Sequence, residues 1–513
     1  MRFPRSSGIL LHPTSLPGPH GSGDFGLSAY HFIDWLVEAG QSLWQILPLG
    51  PVGLGNSPYM SLSTFAGNPL LIDLDELSAR GWLPAGDLSE EKQFSSRSVD
   101  YERVISFRME RLRCASKNFF TGAGTSEKSE FEAFCREKTD WLDDYALFMA
   151  LNEKFSGKEF SMWDAALARR EASAIAEARE GLAESIRFWK FTQWNFYRQW
   201  MALKKYANGK GVQIVGDIPI FVAYHSADVW SRPELFYLDD HLRPKVVAGV
   251  PPDYFSVTGQ RWGNPLYRWD VMKENEYSWW IERIRTALSL VDIARIDHFR
   301  GFAGYWEIPS SEPTAVHGRW VEGPKEQLFD KVQEKLGKLP IIAEDLGFIT
   351  DDVIALREKF SFPGMKILQF AFAGDVKNPF LPHNFRHNVV VYSGTHDNDT
   401  TVGWFQTATD RERMFVKKYS GLNGEEIHWT LISLASRSVA DMAVFPLQDV
   451  LGLDSSARMN FPGTPTGNWE WRFTWDQVRP EHTARLYELT ALNNRCDASR
   501  LVLPEYPQGK VKP

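Results

Sequence analysis

The chain has 513 residues, 43% of them hydrophobic and 24% charged, a composition that reads as a large globular protein with ample material for a core. Its formal net charge is -8 and no Lys/Arg cluster is interleaved with aromatics, which argues against nucleic acid as a partner. Cys114, Cys135 and Cys496 are scattered, with no CxxC and no metal-ligand spacing, and no apolar run reaches the roughly 18 residues of a membrane span; reduced thiols, no membrane partner and a cytoplasmic location are expected.

Along the chain, "MRFPRSSGILLHPTSLPG" contributes only a short apolar run, too brief for a signal peptide. "GSGDFG" (21–26) matches GxGxxG, but Pro17 and Pro19 interrupt the entry and no strand leads directly into the glycines, so a nicotinamide site is rejected. No Walker A and no HExxH occurs, so no cofactor is expected. Eight apolar runs bounded by Gly and Pro then recur between helical stretches: 42–50, 68–77, 211–220, 290–299, 338–347, 364–374, 388–399 and 441–452. Buried strands alternating with helices read as parallel βα units, and eight of them predict an α/β fold of the (β/α)8 TIM-barrel type. The expected organisation is one catalytic barrel over 1–513 with two insertions. Residues of about 78–210 are rich in Ala, Glu and Arg and read as a helical subdomain; about 222–288 are rich in Pro, Gly and aromatics, too aperiodic for helix, and read as a long functional loop. The 20 tryptophans suit either core or stacking, with core the expectation for any one taken singly.

The run "DIARIDHFRGF" (292–302) places charge in a buried strand, which is costly unless paired. Residues two apart share a face, so Arg295 and Asp297 point together while Ala294 and Ile296 point away. Four other runs also end in polar or acidic groups: Asp217, Glu344 with Asp345, His396 with Asp397 and Asp399, and Asp449. Barrel active sites are assembled at the C-terminal ends of strands, so acids gathered there predict a carboxylate-lined mouth. Paired carboxylates with aromatic faces are what glycosidic bond cleavage needs. A magnesium or calcium site would also use oxygen ligands, but Arg295 beside Asp297 opposes a cation, and no metal is expected.

Eight ordered segments carry a family resemblance over nearly the whole chain: "HPTSLPGPHGSGDFG", "NSPYMSLSTFAGNPLLIDLDEL", "GDIPIFVAYHSADVW", "GVPPDYFSVTGQRWGNPLY", "RIDHFRGF", "IIAEDLG", "SGTHDNDT" and "MNFPGTPTGNWEWR". In these the sequence resembles the amylomaltase (disproportionating enzyme) family of 4-α-glucanotransferases, relatives of the α-amylases. The resemblance implies retaining transfer between malto-oligosaccharides or α-1,4-glucans, with no C-terminal β-sandwich. It implies Asp297 as nucleophile, Glu344 as general acid/base and Asp397 as the third carboxylate, which holds sugar hydroxyls. Arg295, His298 and His396 match residues that orient the nucleophile and bind the cleaved sugar, and Asp217 and Tyr59 match others that line that sugar's subsite and bind substrate. The loop with Pro252, Asp253, Tyr254, Phe255, Gln260 and Trp262 resembles a lid over the acceptor side. A triad alone does not separate transfer from hydrolysis, so an α-glucan hydrolase stays open, as does a catalytically silent glucan-binding barrel.

Overall fold

A computed structural model describes residues 3–88, 94–252 and 256–501. Eight strands form one all-parallel sheet: β1 (Ser6–Leu10), β2 (Leu43–Gln45), β3 (Gln213–Pro219), β6 (Ile293–Asp297), β9 (Ile341–Ala343), β10 (Gly364–Ile367), β11 (Val389–Tyr392) and β12 (Met442–Pro446). Their order is β10-β11-β12-β1-β2-β3-β6-β9. The two outer strands meet where the Ala343 N–H donates to the Pro363 carbonyl at 2.9 Å, so the sheet is a nearly closed (β/α)8 barrel. The crossover from β10 to β11 has only short 3-10 turns, Leu368–Phe370 and Pro382–Asn384, where a barrel ordinarily carries a helix.

Seven of the eight expected strands lie in this sheet; the run 68–77 does not. It forms a 3-10 turn, Pro69–Leu71, and a helix, Leu74–Ala79. The local reason is capping: the Asn68 side chain accepts from the Leu70 N–H at 3.0 Å and Asp73 from the Asp75 N–H at 2.9 Å, each starting a helical turn in what reads as an apolar strand. Leu70, Leu71, Ile72, Leu74 and Leu77 are buried all the same. The missing strand is β1, "SSGIL". Gly8 pairs with Leu43, and a Cβ there would stand 2.4 Å from the Leu43 Cβ, so this packing needs glycine.

Between β2 and β3 run the helices Tyr101–Gly122, Thr125–Glu137, Thr139–Lys154, Ala172–Gly181 and Ala183–Gly209. Trp82, Phe119, Phe131, Phe191 and Trp194 pack edge to face among them and belong to the same apolar core as the barrel strands. The interval 222–288 is more regular than its composition suggests. It holds helices Ala227–Ser231, Trp269–Glu274 and Ser278–Leu290 and the strands β4 (Val246–Val250) and β5 (Gln260–Pro265). With β7 (Gly304–Pro309) and β8 (Arg319–Glu322), these strands make an antiparallel sheet in the order β5-β4-β7-β8, beside the barrel mouth. Among the described residues no strand follows β12, and no helix is long and apolar enough to cross a membrane.

Candidate active site

The charged pair in β6 has two halves with different surroundings. Register sets Arg295 beside Asp217 of β3. Its Nη1 donates to both Asp217 oxygens, at 2.8 and 2.6 Å, and its Nη2 donates to Asp297 Oδ1 at 2.8 Å. Tyr59 closes the far side, its hydroxyl donating to Asp217 Oδ2 at 2.8 Å. Asp217 and Arg295 are buried, whereas the Asp297 side chain is 31% exposed. Asp217 therefore works as the structural counter-ion, and Arg295 aims Asp297 into the opening. Burial alone would lower the Arg295 pKa, but Asp217, Asp297, Tyr59 and Glu344 together hold it well above its ordinary value. Burial also raises the Asp217 pKa, and Arg295 opposes that.

Glu344 follows β9, the neighbour of β6. Its Oε1 accepts from the Leu346 N–H at 2.8 Å and its Oε2 from the His298 N–H at 2.6 Å. Burial first, and then the charge of Asp297, push its pKa up to about 8; Arg295 and the two N–H donors oppose the rise. The carboxyl is thus protonated at neutral pH beside Asp297, in the state a general acid requires. Burial outranks the charge of Asp297 as the cause, and Asp397 is not among the main causes.

His298 makes this arrangement local. It adopts a left-handed backbone, φ 51°, uncommon for a residue with a Cβ, and that turn delivers its N–H to Glu344 and its ring to the opening. The ring lies edge-on to Trp262, centroids 4.8 Å apart, and burial lowers its pKa to about 4, so it is neutral. Among the described residues its buried Nε2 has no hydrogen-bond partner. On the other flank His396 stacks on Tyr59 at 5.2 Å, and its Nε2 lies 3.4 Å from Asp397 Oδ2.

Tyr59, Gln260, Trp262, Arg295, Asp297, His298, Glu344, His396 and Asp397 all line one open groove of about 1910 Å³. That exceeds the roughly 300–1,000 Å³ of a small-molecule pocket and leaves room for an oligosaccharide. Asp217 lies behind it, and Asp253, Tyr254 and Phe255 fall outside the described residues. Two further strand-end acids do not reach the groove. Asp345 accepts from the Met365 N–H at 2.7 Å and pairs with Arg357, and Asp449 is buried under Ser393 and Thr401. Among the described residues no three of His, Cys, Asp and Glu converge so as to hold a metal ion.

Asn460 lies within "MNFPGTPTGNWEWR", one of the segments that carry the resemblance, but the resemblance assigns it no role. Its Nδ2 donates to Asp397 Oδ1 at 2.6 Å, and Arg458 donates to the Asp397 carbonyl at 2.6 Å. Asn460→Ala should therefore lower kcat about 10- to 100-fold with a smaller change in KM, measured by initial rates. A change in KM alone would show that Asn460 does not position Asp397.

The family model described as 4-alpha-glucanotransferase, glycoside hydrolase family 77, matches residues 11–477. A 4-alpha-glucanotransferase of Thermus thermophilus is 52% identical over 503 residues, covering 96% of this chain and 100% of that protein. One from Synechocystis is 50% identical over 495 residues, covering 96% and 98%. The structure of an amylomaltase from Streptococcus agalactiae in complex with acarbose superposes with a TM-score of 0.94 at 42% identity, covering 96% of this chain and 100% of that one.

Proposed function

The chain belongs to the 4-alpha-glucanotransferases of glycoside hydrolase family 77, enzymes that transfer glucan segments, and from that premise we propose a retaining double displacement with Asp297 as nucleophile and Glu344 as acid/base. Asp297 attacks the anomeric carbon of an α-1,4-glucan while Glu344 protonates the departing glycosidic oxygen, leaving a β-linked glycosyl-enzyme. Glu344, now a carboxylate, takes the proton of an incoming 4-hydroxyl, whose oxygen displaces Asp297 and restores an α-1,4 bond. The observation that carries this reading is the division of labour around Arg295: Asp297 is aimed into the groove by the guanidinium, and its neighbour Glu344 is kept protonated by burial and by the charge of Asp297, against the opposing pull of Arg295.

Asp397, held by Asn460, is assigned to the hydroxyls of the sugar being cleaved, and His396 and the neutral His298 to hydrogen bonds around it. Gln260 and Trp262 are assigned to the acceptor side; the Trp262 Nε1 donates to Gln260 Oε1 at 3.1 Å, which fixes the two together. The ligands of this groove are proposed to be malto-oligosaccharides, the class to which the acarbose-bound relative also points. Transfer outruns hydrolysis when a bound sugar hydroxyl replaces water at the glycosyl-enzyme. Incubation with maltotriose alone should yield glucose together with oligosaccharides longer than the substrate; glucose and maltose with no lengthening would contradict this.

A further inference from the structure

Beyond Glu344 the same groove continues over groups to which no role has been given above. Phe348, four residues past the acid, is 67% exposed, and Trp320 of β8 is 40% exposed. Their rings stack, centroids 6.4 Å apart with 25° between planes, and Trp306 braces Trp320 from its edge at 5.3 Å. Large aromatics left in contact with water on a braced strand form a platform for a ligand with a flat apolar face.

Arg300 supplies a second, independent observation. It lies in the 3-10 turn after His298, is only 6% exposed, and its guanidinium carbon sits 3.8 Å from the Trp320 centroid and 5.8 Å from that of Phe348. Among the described residues its buried Nε and Nη1 have no hydrogen-bond partner, although the side chain lines the groove. A guanidinium cannot shed its charge, so buried donors without acceptors are costly until something supplies oxygen atoms.

We propose that Trp320, Phe348 and Arg300 form a glucosyl subsite on the acceptor side of the reacting bond, beyond the first acceptor sugar, where the rings stack on a pyranose face and Arg300 donates to its hydroxyls. The assignment of side rests on the reading of Glu344 as the acid. The leaving and incoming oxygen must stand at Glu344, and Leu346, Gly347 and Phe348 follow it directly along the groove wall. Trp320 also belongs to the same four-stranded sheet as Gln260 and Trp262. This subsite recognises chain length: glucose, which fills only the first acceptor position, does not reach it, and a longer malto-oligosaccharide does.

The test is elongation of reducing-end-labelled acceptors at fixed donor concentration, comparing kcat/KM for maltotetraose with that for glucose. Phe348→Ala removes an exposed ring without disturbing the core, and Trp320→Ala removes the braced one; each should lower the maltotetraose-to-glucose ratio about five- to tenfold. Trp320→Phe should restore most of it. A ratio unchanged in both alanine variants, or glucose and maltotetraose falling in parallel, overturns the subsite. Failure of the underlying catalytic reading would look different, because Asp297→Asn would then still elongate glucose.

Discussion

Asp297→Asn is expected to lower the transfer rate about 10⁴-fold or more, with the dissociation constant for maltotriose changed by less than about threefold. The amide keeps an oxygen that can accept from Arg295 Nη2, now at 2.8 Å, so the buried guanidinium stays satisfied while the nucleophile is lost. Asp297→Ala should add a stability loss of about 1–3 kcal/mol, since it leaves that donor unpaired. Kinetics on maltotriose, calorimetric binding and thermal unfolding of both variants separate the two effects. Turnover near the wild-type rate in the Asn variant would mean that another group attacks the anomeric carbon.

Glu344→Gln should reduce kcat/KM for maltotriose about 10²- to 10⁴-fold, and it should remove a limb of the pH profile. With its pKa up at about 8, Glu344 loses its proton as pH rises past that value. Wild-type kcat/KM for the donor should therefore fall about tenfold per pH unit above about 8. Stability carries the same signature. The folded protein keeps a proton on Glu344 that the unfolded chain, near the ordinary 4.5, gives up, so this group's contribution is complete below about 4.5 and declines as pH rises to about 8. The amide cannot titrate, and it meets the His298 N–H with one group that no longer accepts, so its absolute stability starts lower. The diagnostic is the difference in Tm between wild type and variant. It should shift in favour of the variant between pH 5 and 8, and a flat difference would place the Glu344 pKa near its ordinary value.

Much of this was legible in the sequence because strand alternation is rigid. Two-residue spacing alone put Arg295 and Asp297 on one face, and acids at the ends of successive runs pointed to one mouth. Alternation does not say which acids are already spent. Asp449 and Asp345 end their runs as Glu344 does, yet Thr401, Ser393, the Met365 N–H and Arg357 consume them, and those partners come from other elements of the fold. Asn460 was hidden for the same reason, since it meets Asp397 across 63 residues. The strand errors have a different origin. "SSGIL" is short and polar at its start, whereas "NPLLIDLDEL" is apolar enough for a strand until Asn68 and Asp73 cap it into turns.

The covalent intermediate offers the most direct test. A glycosyl fluoride departs without help from an acid, but release of the sugar from the enzyme still needs a base, so Glu344→Gln mixed with α-maltotriosyl fluoride should accumulate the glycosyl-enzyme. Mass spectrometry of the quenched protein and its peptides should find one maltotriosyl group, carried on Asp297. A sugar attached to Asp217, Asp397 or any other residue, or turnover of the fluoride with no adduct at all, would contradict the central claim.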